Sequence, residues 1–323
     1  MLTVIFSDVQ VADYKQFNKG KRRLKNCITA INKAFEFAEK NGIETILFSG
    51  DLYDTQQVLG TEVVNEVVSV FDKWANSGIT VYAISGNHDH ASKNLIDKPA
   101  VTALRHLELA VDNFILLDLS ADIIEGEEKR VNVIGIPYYE YSTHFRQALI
   151  NCREMLVEGC VNILMMHQTP NEMGNDMIPA DTDINDPLYE GFDFIFNGHI
   201  HKHAMLNNKF MNVGSPLHRT LEDEGQKKGF IVMDLEYPEE GYKFIDTKLP
   251  MFKKMYEEDI TEADSEDYII TVPKPLKSKN TVEQEAKTEN FKADLAPAEL
   301  LKNYWKEANG TDEELLNIGL TLL

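Results

Sequence analysis

The sequence contains little cysteine, no long apolar run and few positive charges. Only 3 of its 323 residues are cysteine, and none belongs to a C-x-x-C pair. This argues against a disulfide framework or a cysteine-bound zinc and favours reduced, buried thiols. No run approaches the roughly 18 apolar residues of a membrane helix. The apolar start reaches Asp8 without a preceding basic region, so it predicts a strand and not a signal peptide. We therefore expect a cytoplasmic protein.

Positive charge is scarce, with 32 Lys and Arg against 53 Asp and Glu, a net charge of −21. An acidic surface repels phosphate, which excludes a globally cationic nucleic-acid binder but not a phosphate enzyme. A DNA substrate would need metal ions, local basic patches or a basic partner. The densest basic run, Lys21 to Lys25, is either a solvated helix face or a contact for backbone phosphates.

Short apolar runs alternate with helical periodicity, in a β-α-β-α-β order, from the N-terminus onwards. Strands are predicted at 2–6, 45–48 and 80–84, with helices at 21–40 and 62–76 between them. Further strands are expected near 113–117, 131–136, 161–166, 192–196, 209–213, 229–235 and 242–248, with one helix near 143–157. The last strands lack long helices, which indicates antiparallel pairing. The pattern predicts an α/β sandwich of two sheets flanked by helices.

Composition predicts four segments along the chain. Residues 1–248 form the main domain, and 249–272 form a small strand-bearing extension. Residues 273–290 have almost no apolar content and predict a flexible linker. Residues 291–323 predict two short helices whose large apolar side chains need another surface to cover them.

Polar side chains that can bind metals follow five of the predicted strands. They are Asp8 and Gln10; Asp51 and Asp54; Asn87, His88 and Asp89; His167; and His199 with His201. Ligands bind beyond the carboxyl ends of the strands in an open α/β sheet. Carboxylate, amide and imidazole donors suit Mn, Fe or Zn. With this many donors, two metals about 3.5–4 Å apart that share a bridging carboxylate are the economical arrangement, and such a pair can hydrolyse a phosphate ester.

Each signal alone has an ordinary structural interpretation. The G-D and G-N pairs at 50–51 and 86–87 are common turn dipeptides. A single buried His167 is more often a hydrogen-bonded core histidine than a ligand. Five such signals in order, each at a strand end, are poorly explained as five independent turns, so we favour a metal site.

The ordered pattern D-x-Q, G-D-L-Y-D, G-N-H-D, H and G-H-I-H resembles the signature of calcineurin-like metallophosphoesterases over residues 1–215. Within that superfamily it resembles the SbcD nucleases, bacterial and phage relatives of the eukaryotic nuclease that processes DNA double-strand breaks. The N-V-G-S-P and K-G-F-I-V-M-D segments at 212–216 and 228–234 support this. The linker and terminal helices resemble the segment that grips the coiled coil of SbcC, an SMC-like ATPase.

The resemblance implies a role for each site residue. The first metal would be held by Asp8, Gln10 and His201, the second by Asn87, His167 and His199, with Asp51 bridging. His88 would face the scissile phosphate, and Asp89 would orient it, whereas Asp54 would either support the site or only accept a turn hydrogen bond. The first motif usually reads D-x-H. Because the amide of Gln10 is a weaker donor, we expect a looser first site that suits Mn or Mg better than Zn.

The resemblance implies an active two-metal phosphodiesterase, with Mn preferred and Mg or Fe possible. It would cut double-stranded DNA as an exonuclease and single strands as an endonuclease, as a homodimer within an SbcCD-like repair and recombination complex. The helix candidate at 99–109 either dimerises or packs in the core. Length alone suggests a phage-type version. The alternatives are a phosphoprotein phosphatase or cyclic-nucleotide phosphodiesterase of the same superfamily, and a non-catalytic scaffold with a degenerate first metal site.

Overall fold

The computed structural model describes residues 1–54, 58–91, 101–175, 180–262 and 265–274. The chain divides into two units, Met1–Val272 and Pro273–Leu323. The expected helix pair and all but the first two residues of the expected linker lie outside the described residues, and the four segment boundaries stay predictions. No helix in the described ranges has the length and hydropathy to cross a membrane.

The first unit contains strands and helices in the alternating order that the hydrophobic pattern predicts. The strands are β1 (Leu2–Phe6), β2 (Thr45–Phe48), β3 (Thr80–Ala83), β4 (Phe114–Leu116), β5 (Ser120–Glu125), β6 (Arg130–Gly135), β7 (Val161–Met166), β8 (Phe194–Asn197), β9 (Ala204–Met205), β10 (Phe210–Asn212), β11 (Gly229–Asp234), β12 (Tyr242–Asp246), β13 (Phe252–Met255) and β14 (Tyr268–Thr271). The helices are α1 (Arg22–Lys40), α2 (Thr61–Ala75), α3 (Arg105–Ala110) and α4 (Ser142–Cys152).

Two six-stranded sheets carry the fold. The first has the order β12-β11-β1-β2-β3-β4 and the second the order β5-β6-β7-β8-β10-β9. Strands β1 to β4 run parallel, as do β6, β7, β8 and β10, whereas β11 and β12 pair antiparallel. The parallel centre of each sheet brings several strand carboxyl ends to one edge.

Three apolar layers hold the sheets and helices together. In β1, Val4 and Phe6 pack in the same cluster as helices α1 and α2, while Ile5 packs with the second sheet, as alternate strand residues must. The layer between the sheets also contains Leu47 and Ile163. Helix α4 covers the outer face of the second sheet through a third cluster.

The predicted α/β sandwich is confirmed, and the differences are at its margins. The hydrophobic pattern does not predict the edge strand β5, because its half-exposed sequence S-A-D-I-I-E is too polar for an apolar run. Helix α4 ends at Cys152, and a single turn of 3-10 helix at Arg153–Met155 completes the stretch expected to be helical. Strands β13 and β14 form a separate parallel pair, and they lie in the expected extension.

Candidate metal centre

The loops after β1 and β2 run side by side and carry the first carboxylates. The backbone amide of Asp8 donates to the Gly50 carbonyl (2.9 Å), and that of Gln10 donates to the Asp51 carbonyl (3.0 Å). The Asp8 side chain is buried and accepts hydrogen bonds from the Ser7 hydroxyl (2.6 Å) and the His199 amide (3.2 Å). The first two motifs therefore form one unit.

Asp8, Asp51 and His167 meet at the centre of the site. Each offers a ligand atom, and these atoms all lie within 4.8 Å of one another. The Nε2 atom of His167 lies 3.4 Å from Asp51 Oδ1 and 4.0 Å from Asp8 Oδ1. Its Nδ1 lies 2.7 Å from the Ser49 carbonyl. Because a carbonyl only accepts, Nδ1 carries a hydrogen and Nε2 is the nitrogen turned to the carboxylates.

Asn87, at the end of β3, joins His167 to His199. Its Oδ1 atom lies 3.2 Å from His167 Nε2 and 2.9 Å from His199 Nδ1. Together with Asp51, these three side chains form what we call the second half of the centre. The structure brings together all the residues expected to hold the second metal.

The first half of the centre consists of Asp8, Gln10 and His201, again with Asp51. The Gln10 Nε2 atom donates to Asp51 Oδ2 over 2.8 Å. His201 Nε2 lies 3.9 Å from Asp8 Oδ1. Asp51 therefore contacts both halves, with Oδ1 toward His167 and Oδ2 toward Gln10.

The backbone at the centre is strained. Asp8, Gln10, Asp51 and His199 have φ angles of 54°, 48°, 58° and 79°, in the left-handed region that non-glycine residues rarely adopt. Strain of this kind costs on the order of 1–3 kcal/mol per residue and persists only where the surroundings enforce it. The fold therefore gives up stability to aim these side chains.

Two glycines allow the motif loops to approach one another. A Cβ at Gly86 would lie 2.1 Å from Asp51 Oδ1, and one at Gly198 would lie 2.5 Å from His167 Nδ1. Any side chain there would occupy the space of a candidate ligand. The glycines of G-N-H-D and G-H-I-H are thus required by close packing.

The carboxylates and imidazoles perturb one another strongly. Burial raises the pKa of Asp8 to about 6. Burial alone would lower the pKa of His167, but Asp51 and Asp8 outweigh it and raise that pKa to about 9. Burial alone would raise the pKa of Asp51, but the charge and hydrogen bond of His167 outweigh it and lower that pKa well below its usual value. Burial lowers the pKa of His199 to about 3 and of His201 to about 4, so both present neutral nitrogens.

His88 is held by Asp54. Its Nδ1 lies 2.9 Å from the Asp54 carbonyl and 3.5 Å from Asp54 Oδ1. Its backbone amide donates to Asp51 Oδ1 over 2.8 Å. Asp54 thus contacts the imidazole of His88, more closely through its backbone carbonyl than through its carboxylate.

Asp89 has a different role from the expected one. Its carboxylate accepts hydrogen bonds from the amides of Asp51, Leu52, Tyr53 and Gly86, at 2.8 to 3.1 Å. A side chain committed to backbone amides shapes the loops around the centre and does not orient His88. Burial raises its pKa to about 7.

Arg219 is a residue that sequence reasoning missed, because it belongs to none of the motifs. Its Nη2 atom donates to Asp54 Oδ1 over 3.1 Å. The basic run at 21–25 is mostly committed to internal contacts. Lys21 pairs with Glu62, Arg22 donates to the Glu266 carbonyl, and Arg23 donates to the Arg219 carbonyl.

Comparison with known proteins agrees with this geometry. The family model for calcineurin-like phosphoesterases matches residues 1–203. The chain is 36% identical over 80 residues to "Exonuclease subunit 1" of Enterobacteria phage T4, a match that covers 24% of this chain and 23% of that protein. It is 25% identical over 277 residues to the SbcD component of the nuclease SbcCD from Staphylococcus epidermidis, which covers 77% of this chain and 70% of the relative.

A third relative is "DNA double-strand break repair protein Mre11" of Thermoplasma acidophilum, 23% identical over 290 residues, which covers 87% of this chain and 73% of the relative. The resemblance to SbcD-type nucleases is confirmed, as is the prediction of a metal-dependent phosphodiester hydrolase. The chain belongs to the calcineurin-like phosphoesterase family.

Proposed function

We propose that this chain is a Mn-dependent, two-metal DNA phosphodiesterase, acting as an exonuclease on double strands and an endonuclease on single strands. The observation that carries the proposal is the position of Asp51. One of its oxygens lies 3.4 Å from His167 Nε2 and the other 2.8 Å from Gln10 Nε2. A single carboxylate that faces both halves of the centre is suited to be shared by a pair of metals.

The residues present fit two divalent cations. Three carboxylates, Asp8, Asp51 and Asp89, are buried in this small region. Buried negative charge is costly unless a cation or ion pair offsets it. Carboxylate, amide and imidazole atoms are donors that Mn accepts, and the neutral amide of Gln10 favours Mn over Zn. Asp8, Gln10 and His201 would hold one ion, Asn87, His167 and His199 the other, and Asp51 both.

Two bound divalent ions would stabilise charge on the phosphoryl oxygens and lower the pKa of the attacking water. The protein prepares its own side chains for this. The Ser49 carbonyl accepts a hydrogen bond from His167 Nδ1, which leaves Nε2 to face a metal once the imidazole has lost its second proton. The Asp89 carboxylate holds the backbone amides of residues 51–53 in place.

His88 is suited to protonate the leaving oxygen. The Asp54 carbonyl accepts a hydrogen from its Nδ1, so Nε2 is the nitrogen available to the substrate. The His88 side chain is 31% exposed, unlike the buried His167. A general acid of this kind contributes typically about 10²–10⁴-fold to a rate.

The names of the relatives support the proposed substrate and partner. One is a component of an SbcCD nuclease and another a DNA double-strand break repair protein. We infer that this chain acts on DNA in the cytoplasm, as a homodimer bound to an SbcC-type ATPase through residues 291–323. The net charge of −21 fits an enzyme whose partner supplies the basic DNA surface.

The test compares substrates and variants in one assay. Linear single- and double-stranded DNA, bis(p-nitrophenyl) phosphate, p-nitrophenyl phosphate and a cyclic nucleotide are each incubated with Mn²⁺ and purified protein. We expect cleavage of DNA and the diester, lost in Asp51→Asn and reduced in His88→Ala. Turnover of only the monoester or the cyclic nucleotide would contradict the proposal.

Binding of the ATPase partner is tested separately, by comparing two lengths of this chain. We expect full-length protein to bind the ATPase and protein ending at residue 272 to lose that binding while it still cleaves bis(p-nitrophenyl) phosphate. Equal binding by both chains would contradict the assignment of the terminal segment.

A further inference from the structure

Arg219 is a buried cation that the proposed chemistry does not use. It lies in the segment between β10 and β11 with only 5% of its surface exposed. A buried guanidinium is costly unless its donors are satisfied. Its hydrogen bonds therefore indicate what the fold gains by burying it.

One side of the guanidinium binds the loop of the first half. Nη1 donates to the carbonyl oxygens of Val9 (3.2 Å) and Gln10 (2.7 Å). The Tyr14 hydroxyl also donates to the Gln10 carbonyl, and the Tyr14 ring centroid lies 4.8 Å from the guanidinium carbon. This loop carries the candidate ligands Asp8 and Gln10 in strained conformations.

The other side of the guanidinium binds the partner of the proposed general acid. Nη2 donates to Asp54 Oδ1 over 3.1 Å, and the Asp54 carbonyl contacts His88 Nδ1 at 2.9 Å. The donors of a guanidinium are fixed in one plane. One side chain thus sets the distance between the first-half loop and the residue that holds His88.

Arg219 is itself held from elsewhere in the fold. Its backbone amide donates to Asp223 Oδ2 over 2.6 Å, and its carbonyl accepts from Arg23 Nη2 over 2.8 Å. Asp223 in turn pairs with Lys228, whose ammonium also donates to the His201 carbonyl over 2.7 Å. The backbone from which the guanidinium extends is therefore held by contacts other than those that the guanidinium makes.

On the basis of the proposed function, we infer that Arg219 is a positioning residue for phosphodiester cleavage, which holds His88, through Asp54, in register with the first half of the centre. None of the contacts of Arg219 with the described residues is to a candidate ligand atom. Its effect would be on the placement of His88, which would contact the substrate. A misplacement of about 1 Å in a catalytic group can cost on the order of 10²-fold in rate.

The experiment uses Arg219→Lys, which keeps the charge but cannot span both sides. The matched control is Arg153→Lys, because Arg153 also donates to three backbone carbonyls, of Pro187, Leu188 and Glu190, in a loop without motif residues. The full-length chain is assayed on bis(p-nitrophenyl) phosphate with Mn²⁺. We expect kcat at saturating Mn²⁺ to fall about 10- to 100-fold in Arg219→Lys with KM for the diester nearly unchanged. Arg153→Lys should keep the wild-type kcat.

A double-mutant cycle with His88→Ala separates positioning from general damage. In the His88→Ala background, Arg219→Lys should cost less than about threefold more, because the group it positions is gone. If Arg219→Lys lowers kcat as much in the His88→Ala background as in the wild type, or does not lower kcat in the single variant, the inference is overturned. If Arg219→Lys does not fold, Asp54→Ala removes the side-chain oxygen that accepts from Arg219 and carries the same expectations. A wild-type chain that cleaves no phosphodiester would instead overturn the proposed function.

Discussion

The two halves of the metal centre are built in different ways. In the second half, His167 and His199 meet Asn87 at 3.2 and 2.9 Å, and a backbone carbonyl fixes the His167 ring. In the first half, Gln10 offers only a neutral amide, and His201 lies 3.9 Å from Asp8. The second half is held by its own ligands, whereas the first depends on its surroundings.

The surroundings of the first half show how the fold compensates. Lys228 donates to the His201 carbonyl and Arg219 to the Gln10 carbonyl, so two buried cations hold the backbone of the first-half ligands. The second half has no such support from a cation among the described residues. A centre with one weak ligand can thus keep its geometry through hydrogen bonds to its backbone.

The largest effect should come from Asp51→Asn, which removes the carboxylate that both halves share. We expect loss of Mn²⁺ from both sites and a fall in DNA cleavage of at least about 1,000-fold. Metal content by mass spectrometry and cleavage rate are measured on the same samples. The control is Asp193→Asn, an aspartate that accepts the Asn162 amide at the start of β7. Retention of two ions by Asp51→Asn would contradict a shared carboxylate.

Next in size is His88→Gln, which leaves both halves intact. We expect cleavage to fall about 10²–10³-fold while two Mn²⁺ ions stay bound, because His88 acts on the leaving oxygen and not on a metal. The comparison of rate with metal content checks this. A loss of metal in parallel with activity would place His88 among the ligands.

A smaller effect, on affinity, should come from Gln10→His, which makes the first half more like the second. An imidazole in place of the amide should tighten the weaker Mn²⁺ site about tenfold, or ~1.4 kcal/mol. Calorimetric titration with Mn²⁺ measures both sites, and Gln147→His on the surface of α4 is the control. Two sites of equal Mn²⁺ affinity in the wild type would contradict the difference between the two halves.

The smallest effect is on the pH dependence of stability. The folded pKa of Asp8 is raised to about 6 and that of His167 to about 9. Each group stabilises the metal-free fold fully below its unfolded pKa, and this contribution is lost as the pH rises through the folded value. Below about pH 7 the lowered pKa values of His199 and His201 act in the opposite direction, so metal-free protein should lose stability on balance as the pH rises from about 7 to about 9. Mn²⁺ should raise Tm by about 3–6 °C more at the upper pH than at the lower one.

Thermal unfolding with EDTA or Mn²⁺ measures this difference. His167→Asn, which removes the group whose raised pKa lies in this range, should flatten the pH dependence of the metal-free protein. An equal gain in Tm at both pH values would contradict the view that Mn²⁺ replaces protons bound at the centre.

Much of the centre could be read from the sequence because it lies at strand ends. Asp8, Asp51 and Asn87 follow β1, β2 and β3, and His167 follows β7, so apolar runs locate the ligands. A buried strand and the residue at which it ends can be recognised from a short stretch of sequence, without knowledge of tertiary contacts. The structure accordingly brings the expected ligands together.

The sequence does not reveal which side chains that are far apart along the chain come into contact in the fold. Asp54 and Arg219 are 165 positions apart, and no motif links them. Asp89 neighbours His88 in sequence, which suggested a contact, yet the turn directs its carboxylate to backbone amides. In the sequence, Lys21 and Arg23 are candidates for DNA contacts, but tertiary contacts use them.

The most direct test of the two-metal account is DNA cleavage at increasing Mn²⁺, with bound metal counted in the same samples. End-labelled double-stranded DNA and metal-free wild-type protein are the starting materials. We predict that cleavage stays low while the first equivalent binds to the second half and rises as the weaker site in the first half fills. Full cleavage with one ion per chain, or no cleavage with both sites filled, would contradict the account.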